Sequence, residues 1–377
     1  MWLHVLLVLA VAIVVLLGLW TLFTSELTTP LAATPTDALV LEIIRLIFYA
    51  IAGIGGVVAL TIAYRKQRLG EAAEAREESK LFAEQFAAAA DQLSSEQAAN
   101  RLGGVYAMAS LADDWDHGRQ KCVNVLCAYL RMPYDPPHLP ENATAEQALD
   151  YKHARQERQV RHAIFDAIGE RLRTEPVEGR TWHHCNFDFS GATIDGGDLH
   201  KAVFAGPVSF RKAQFPEGLL FARGAKFLDG ILFGGVVING GAISLFEAEF
   251  SDLAQFADME VTAGSLNFSG AIFRGFTTFR YTRFAGGEVG FGMQFDIDGS
   301  RFEGEVHFEE AAFTGTDVSF RGSTIVGGTL DFTSVDDWSH PPQFDDLQGR
   351  TPPGILLPAA VDAAALPSQP GGGDEQA

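Results

Sequence analysis

The sequence predicts an α+β chain: two transmembrane helices, a helical stalk and domain, then a β-helix, or solenoid. Three observations carry this. Phe recurs with a fixed short beat between 181 and 335, two long apolar runs open the chain, and helix-forming residues fill the stretch between. The expected divisions are a two-helix anchor over 1–68, a cytoplasmic helical region over 69–175, the solenoid over 181–335 and a disordered tail over 336–377.

Residues 2–23 are apolar almost without a break, long enough to cross a bilayer core of about 30 Å. A cleaved signal peptide would want basic residues before the run and a small-residue cleavage site after it. This run has neither and reads as an anchor. A second apolar stretch from Leu39 to Tyr64 closes on Arg65-Lys66-Gln67-Arg68, a basic cluster that the positive-inside rule keeps in the cytoplasm. Both spans then form a hairpin, and everything after 65 is cytoplasmic. Glu42 and Arg45, one helical turn apart, read as a neutralised pair near the external end. Gly53, Gly55 and Gly56 offer a surface for close packing against the first span or a second copy.

From Leu69 the residues are strong helix formers, so the second span is expected to continue as a stalk. Ser94-Ser95-Glu96-Gln97 has the form of a capping box for the next helix, which Asp116-His117-Gly118 should end. A third helix holds Cys122 through Leu130 and stops before Pro133. Thr144-Ala145-Glu146-Gln147 caps a fourth, apolar at Val160, Ile164, Phe165, Ile168 and Leu172. Three Cys in the whole chain imply no disulfide framework and suit a reducing compartment.

In the Phe-rich stretch, pairs five apart (Phe210 and Phe215, Phe268 and Phe273, Phe279 and Phe284, Phe308 and Phe313) recur along the chain. Five fits neither a helix nor a strand period. It fits a chain that turns a corner after each inward ring, four faces making one coil. Ala stands two before many inward positions, as Ala202 before Phe204 and Ala271 before Phe273, where a larger residue would crowd the corner. Gly follows others, as at Gly191, Gly270 and Gly322, where positive φ is cheap only for Gly. Phe320 belongs to the same inward set. Gaps of six or seven after each five-residue step imply widened corners and a coil of 22–24 residues. A Phe-rich antiparallel sandwich would instead alternate polar and apolar residues over longer strands.

Gly191-Ala192-Thr193-Ile194, Gly197-Asp198-Leu199 and Ala202-Val203-Phe204 resemble the pentapeptide-repeat family, whose fold is a right-handed quadrilateral β-helix. Gln92-Leu93, Arg101 through Ala107 and Val125 through Arg131 resemble a helical segment found ahead of such repeats in bacterial membrane-anchored proteins. The resemblance spans about 80 to 335 and brings no agreed activity with it.

The formal net charge of −20 makes a phosphate backbone a poor partner and a basic protein a better one. Glu303, Glu305, Glu309 and Glu310 are the candidate docking patch. His183-His184-Cys185 near Asp188 carries metal-type side chains. Adjacent His on an extended chain point apart, so the cluster reads as a solenoid cap. Cys122 and Cys127 share no helical face and read as core thiols. Asn142-Ala143-Thr144 reads as a helix cap in place of a glycosylation site. No P-loop, dinucleotide fingerprint or nucleophile elbow occurs, so neither catalytic residues nor cofactors are expected. The function expected is a tethered, non-catalytic scaffold at the inner membrane, binding a cytoplasmic protein, with the glycine-lined span and solenoid end inviting pairing of copies. Two other readings compete with it. Some pentapeptide-repeat relatives mimic duplex DNA to inhibit a topoisomerase, but Arg211, Lys212, Arg223, Arg280 and Arg283 interrupt the negative surface here. Polysaccharide-cleaving β-helices have longer coils and outward carboxylate clefts, which are not evident in this sequence.

Overall fold

The computed structural model describes residues 17–18, 20–21, 37–173, 181–294, 298–345 and 353–359. All but four residues of the first apolar run therefore lie outside the described part. The chain divides into two compact units, Met1–Leu81 and Phe82–Ala377.

Helix α1 (Asp37–Leu93) is continuous, so the second apolar stretch does run on into the predicted stalk. Among the described residues it is the one helix long and apolar enough to cross a membrane, with a window of mean hydropathy 2.3. Gly53, Gly55 and Gly56 lie exposed on it, and a Cβ at each would have no described atom within 4 Å. Three further helices follow: α2 (Ala98–Asp114), α3 (Asp116–Leu130) and α4 (Ala145–Arg173). Their buried faces carry Val105, Met108, Leu111, Val123, Leu126, Val160, Ile164, Phe165, Ile168 and Leu172.

Two local expectations fail. Asp116, His117 and Gly118 form the first turn of α3, because Trp115 alone in extended conformation separates the two helices. A Cβ on Gly118 would strike the Phe82 ring at 2.2 Å, so close helix approach, not turn geometry, explains that glycine. The Ser94–Gln97 capping box does not form. Gln97 is the N-cap without a side-chain bond, and Ser95 Oγ instead accepts from Gln97 N at 3.2 Å. The Thr144 box does form: Gln147 N donates to Thr144 Oγ1 at 3.2 Å while Thr144 N donates to Gln147 Oε1 at 2.9 Å.

The second half is a parallel β-solenoid of very short strands. Val208 pairs with Ile231, Ile231 with Ala254 and Ala254 with Thr277, a step of 23 residues each time. Pairing stacks the coils into sheets of eight, six and nine strands. Two faces merge in the nine-stranded sheet, because Val237–Ser244 and Glu260–Asn267 run through the corner as single strands. Each face turns two residues inward, two apart, as Phe210 is followed by Ala213 and Phe215. The corners at Arg211-Lys212 and Arg223-Gly224 are tight; those at Pro216–Leu219 and Leu228–Gly230 are the widened ones. At Gly218, φ is +71° and a Cβ would lie 1.9 Å from Asp195 O, so only Gly fits.

The inward rings form columns along the axis. Phe189, Phe210, Phe233, Phe256, Phe279, Phe308 and Phe332 follow one another with centroids 4.4–5.3 Å apart. A second column runs Phe204, Phe227, Phe250, Phe273, Phe302, and a third Phe268, Phe291, Phe320, Phe344. Phe215, Phe284 and Phe313 are buried on a further face. At the crowded corner preceding the second column stand Ala202, Ala225, Ala248, Ala271 and then Ser300. The Ser300 Oγ donates back to Phe268 O at 2.8 Å, which lets a hydroxyl sit in an apolar wall.

One coil is longer. Thr277 pairs with Val306, a step of 29. The extra residues fall between Gly292 and Gly299 in the sequence, and Ser300 N donates to Phe291 O at 2.6 Å to close the corner as Ala271 N does to Phe268 O one coil earlier. Coil pairing also continues beyond Val335, the expected end: Ala312 bridges Asp337, Ser319 bridges Gln343 and Leu330 pairs with Ile355. The Pro content of this stretch signalled disorder, but Trp338 and Phe344 still supply inward rings.

Helices α3 and α4 pack on the first coil. Phe165 lies against Phe189 at 5.4 Å and fills the space a Cβ on Gly197 would need. Arg161, buried, reaches Leu130 O at 2.5 Å and Thr193 O at 2.9 Å and stacks on the Tyr134 ring. Asp195, with 2% of its side chain exposed, accepts from Tyr134 Oη at 2.6 Å and meets Arg158 Nε at 3.2 Å and His162 Nε2 at 3.3 Å. Burial pushes its carboxyl up, but His162, Tyr134 and Arg158 together outweigh this and hold it below the ordinary 3.8.

Candidate functional site

With the interior filled by rings, anything the solenoid does must be done by outward positions. The corner two residues after the first Phe column repeats Lys212, Gly235, Asp258, Tyr281 and Glu310. All five have positive φ, between 54° and 72°. For the four that are not Gly this conformation is costly, and the stacked coils on either side enforce it. Backbone bonds tie them in sequence: Asp258 N donates to Arg280 O at 2.8 Å and Tyr281 N to Glu309 O at 3.1 Å.

Beside this corner lies a cleft of about 430 Å³ lined by Asp258, Glu260, Tyr281, Arg283, Glu310 and Asp336, with Met259 and Ala312 completing the wall. Its lining carries four carboxylates and one cation, Arg283, which stands in register with Glu260 on the next coil. Arg280 stands outside, stacked 4.6 Å over the Tyr281 ring, with Nε 3.3 Å from Glu309 and Nη2 3.4 Å from Glu310.

The four glutamates of the expected patch are dispersed. Only Glu310 lines the cleft. Glu309 shares Arg280 with it. Glu303 is held between Arg301 Nε and Arg274 Nη1, each at 2.7 Å, and the hydrogen bonds from Arg301 and then Arg274 keep its carboxyl below the usual range. Glu305 meets His307 Nε2 at 3.3 Å. Sequence reasoning missed Asp258, Glu260, Tyr281 and Asp336. The signal was available: Asp258, Tyr281 and Glu310 each follow a Phe of the first column by two residues. Finding them required the 23-residue register, with its one longer coil, in place of closeness in sequence.

His183 is buried and His184 exposed, so the two do point apart. The His183 carbonyl accepts from Ala205 N at 2.8 Å, which makes it part of the first coil. Among the described residues no group of three or more His, Cys, Asp or Glu is arranged to hold a metal ion. Cys122, Cys127 and Cys185 are all buried and unbonded. Burial pushes their thiols up, Cys127 to about 12 and the others to about 11, which removes thiolate reactivity at neutral pH.

No family model, curated protein or solved structure matches the chain.

Proposed function

We propose that this is a membrane-tethered, non-catalytic scaffold that presents an acidic solenoid surface to a basic protein partner in the cytoplasm. The carrying observation is the carboxylate-lined cleft on the side of a rod whose interior is occupied by buried rings. In this reading the first apolar run and the membrane-crossing part of α1 form a two-pass hairpin, Arg65, Lys66 and Arg68 stay cytoplasmic, and the solenoid belongs to the pentapeptide-repeat class. The Phe beat, the quadrilateral coil and the tight Ala corners support that class.

Neutralising the cleft tests the docking role. The full-length protein and the variant Asp258→Asn/Glu260→Gln/Glu310→Gln/Asp336→Asn are crosslinked in membranes, and the captured partners compared. Loss of basic partners from the variant supports docking; an identical set refutes it.

The same cleft is what a polysaccharide-cleaving β-helix would display, which gives that second reading its one observation. Release of new chain ends from acidic polysaccharides by wild type, lost in the same variant, would establish it. The DNA-mimic reading gains less. Arg223 pairs with Glu247 at 2.9 Å and Arg280 with Glu309 and Glu310, so cations are built into the acidic surface. A supercoiling assay with the full chain in detergent should show no inhibition.

A further inference from the structure

A second outward feature lies on a different corner of the solenoid, the widened one before the eight-stranded sheet. Leu253 and Phe276 occupy the same position in consecutive coils. Ile231 N donates to Leu253 O and Ala254 N to Phe276 O, each at 2.9 Å, so the two side chains stack along the axis one rung apart. Leu228 stands across this corner, one coil earlier. In a fold that buries most of its large apolar residues, these three remain 42% (Leu228), 39% (Leu253) and 47% (Phe276) exposed. In the next coil the position of Phe276 is taken by Glu305, which precedes Val306, the partner of Thr277. The apolar strip therefore runs directly into a carboxylate whose side chain is 66% exposed. Asp229 and Asp252 form its shoulder, and no ion pair among the described residues reaches either. The cations nearby are committed: Arg274 bridges Glu249 and Glu303, and Lys226 faces Glu249 at 3.8 Å.

An apolar strip rimmed by carboxylates, Glu305 meeting His307 at 3.3 Å with that ring 5.2 Å from Phe276, selects its occupant. An acidic or phosphate-bearing partner is repelled, and a neutral apolar one leaves the rim unpaired. We propose that Leu228, Leu253 and Phe276 form a docking strip for a partner-protein segment that carries large apolar side chains flanked by Lys or Arg. The apolar groups would cover the Leu and Phe, while the cations would meet Asp229, Asp252 and Glu305. This deepens the scaffold reading by naming the partner's chemistry, and it rests on that reading, although it uses none of the cleft residues.

The test selects random displayed peptides on the full-length protein in nanodiscs, then measures the affinity of the enriched peptides for variants. The expected motif pairs Leu, Phe or Trp with neighbouring Lys or Arg. Its affinity should fall at least tenfold in Leu253→Ser/Phe276→Ser and severalfold in Asp252→Asn/Glu305→Gln. All four positions are on the surface, and unchanged thermal unfolding of the variants confirms that the coil is intact. Enriched peptides without cations, or equal binding by wild type and both variants, would overturn the strip. A wild-type oligomer dissolved by Leu253→Ser/Phe276→Ser would also overturn it, by making a second copy the occupant. Peptides that lose affinity only in the cleft variant would refute the strip and leave the scaffold reading standing.

Discussion

The solenoid interior and its junction with the helices bury comparable side chains by opposite means. Inside the solenoid, most rings meet another ring of their own kind one coil away, and the buried polar groups are hydroxyls such as Thr277, Thr282 and Ser300. At the junction, Arg161 and Asp195 are buried and spend their hydrogen-bonding capacity on Leu130 O, Thr193 O, Tyr134, Arg158 and His162. A repeated apolar column would accept almost any similar surface stacked on it. A buried polar set accepts one geometry, since every displaced partner leaves an unsatisfied group. The difference teaches that repetition supplies the cohesion of the rod, while the polar junction fixes which element seals its first coil and in what orientation.

The largest expected effect breaks the interior. Phe291 touches Phe268 at 4.8 Å and Phe320 at 4.5 Å. Phe291→Ala should cost about 3–5 kcal/mol, read as a lower urea midpoint of the solenoid. Smaller, and confined to the junction, is Arg161→Met. It should cost about 1–3 kcal/mol by stranding buried carbonyls, and proteolysis should then cut between the helices and the first coil. If both variants lowered a single transition equally, the distinction between the regions would fail.

Acid should separate the regions without mutation. The folded Asp195 carboxyl lies below its ordinary 3.8, so its contribution is complete above that value and is lost as pH falls through the folded one. The junction should therefore loosen below about pH 4, while amide protection in the coils persists. The smallest effect has the opposite sign. Thr277 Oγ1 is buried with no hydrogen-bond partner among the described residues, in a column where Ile231 and Val306 are apolar. Thr277→Val should stabilise the solenoid by about 1 kcal/mol, seen as a higher midpoint.

The interior was legible in the sequence because repetition amplifies it. One inward Phe says little, but rings five apart with Ala before them recur often enough to reveal corners and faces. The register was legible only as a range, since nothing local states that Pro216–Leu219 spends more residues than Arg211-Lys212. The junction was not legible. Arg161 and Asp195 look like ordinary surface residues on a helix and a loop, and their meaning arises from contact across 34 positions. The cleft escaped a reading of neighbouring residues for a related reason. Glu303, Glu305, Glu309 and Glu310 are close in sequence, whereas the cleft gathers residues one coil apart.

Lys212 and Glu310 provide the most direct test of the stack itself. They occupy one corner column, separated by Gly235, Asp258 and Tyr281, and so stand four rungs apart. Spin labels at the two positions of the full chain in detergent should give one narrow distance near 19 Å, four spacings of roughly 4.8 Å. A broad distribution, or a mean beyond about twice that distance, would contradict the stacked coils on which both the cleft and the strip depend.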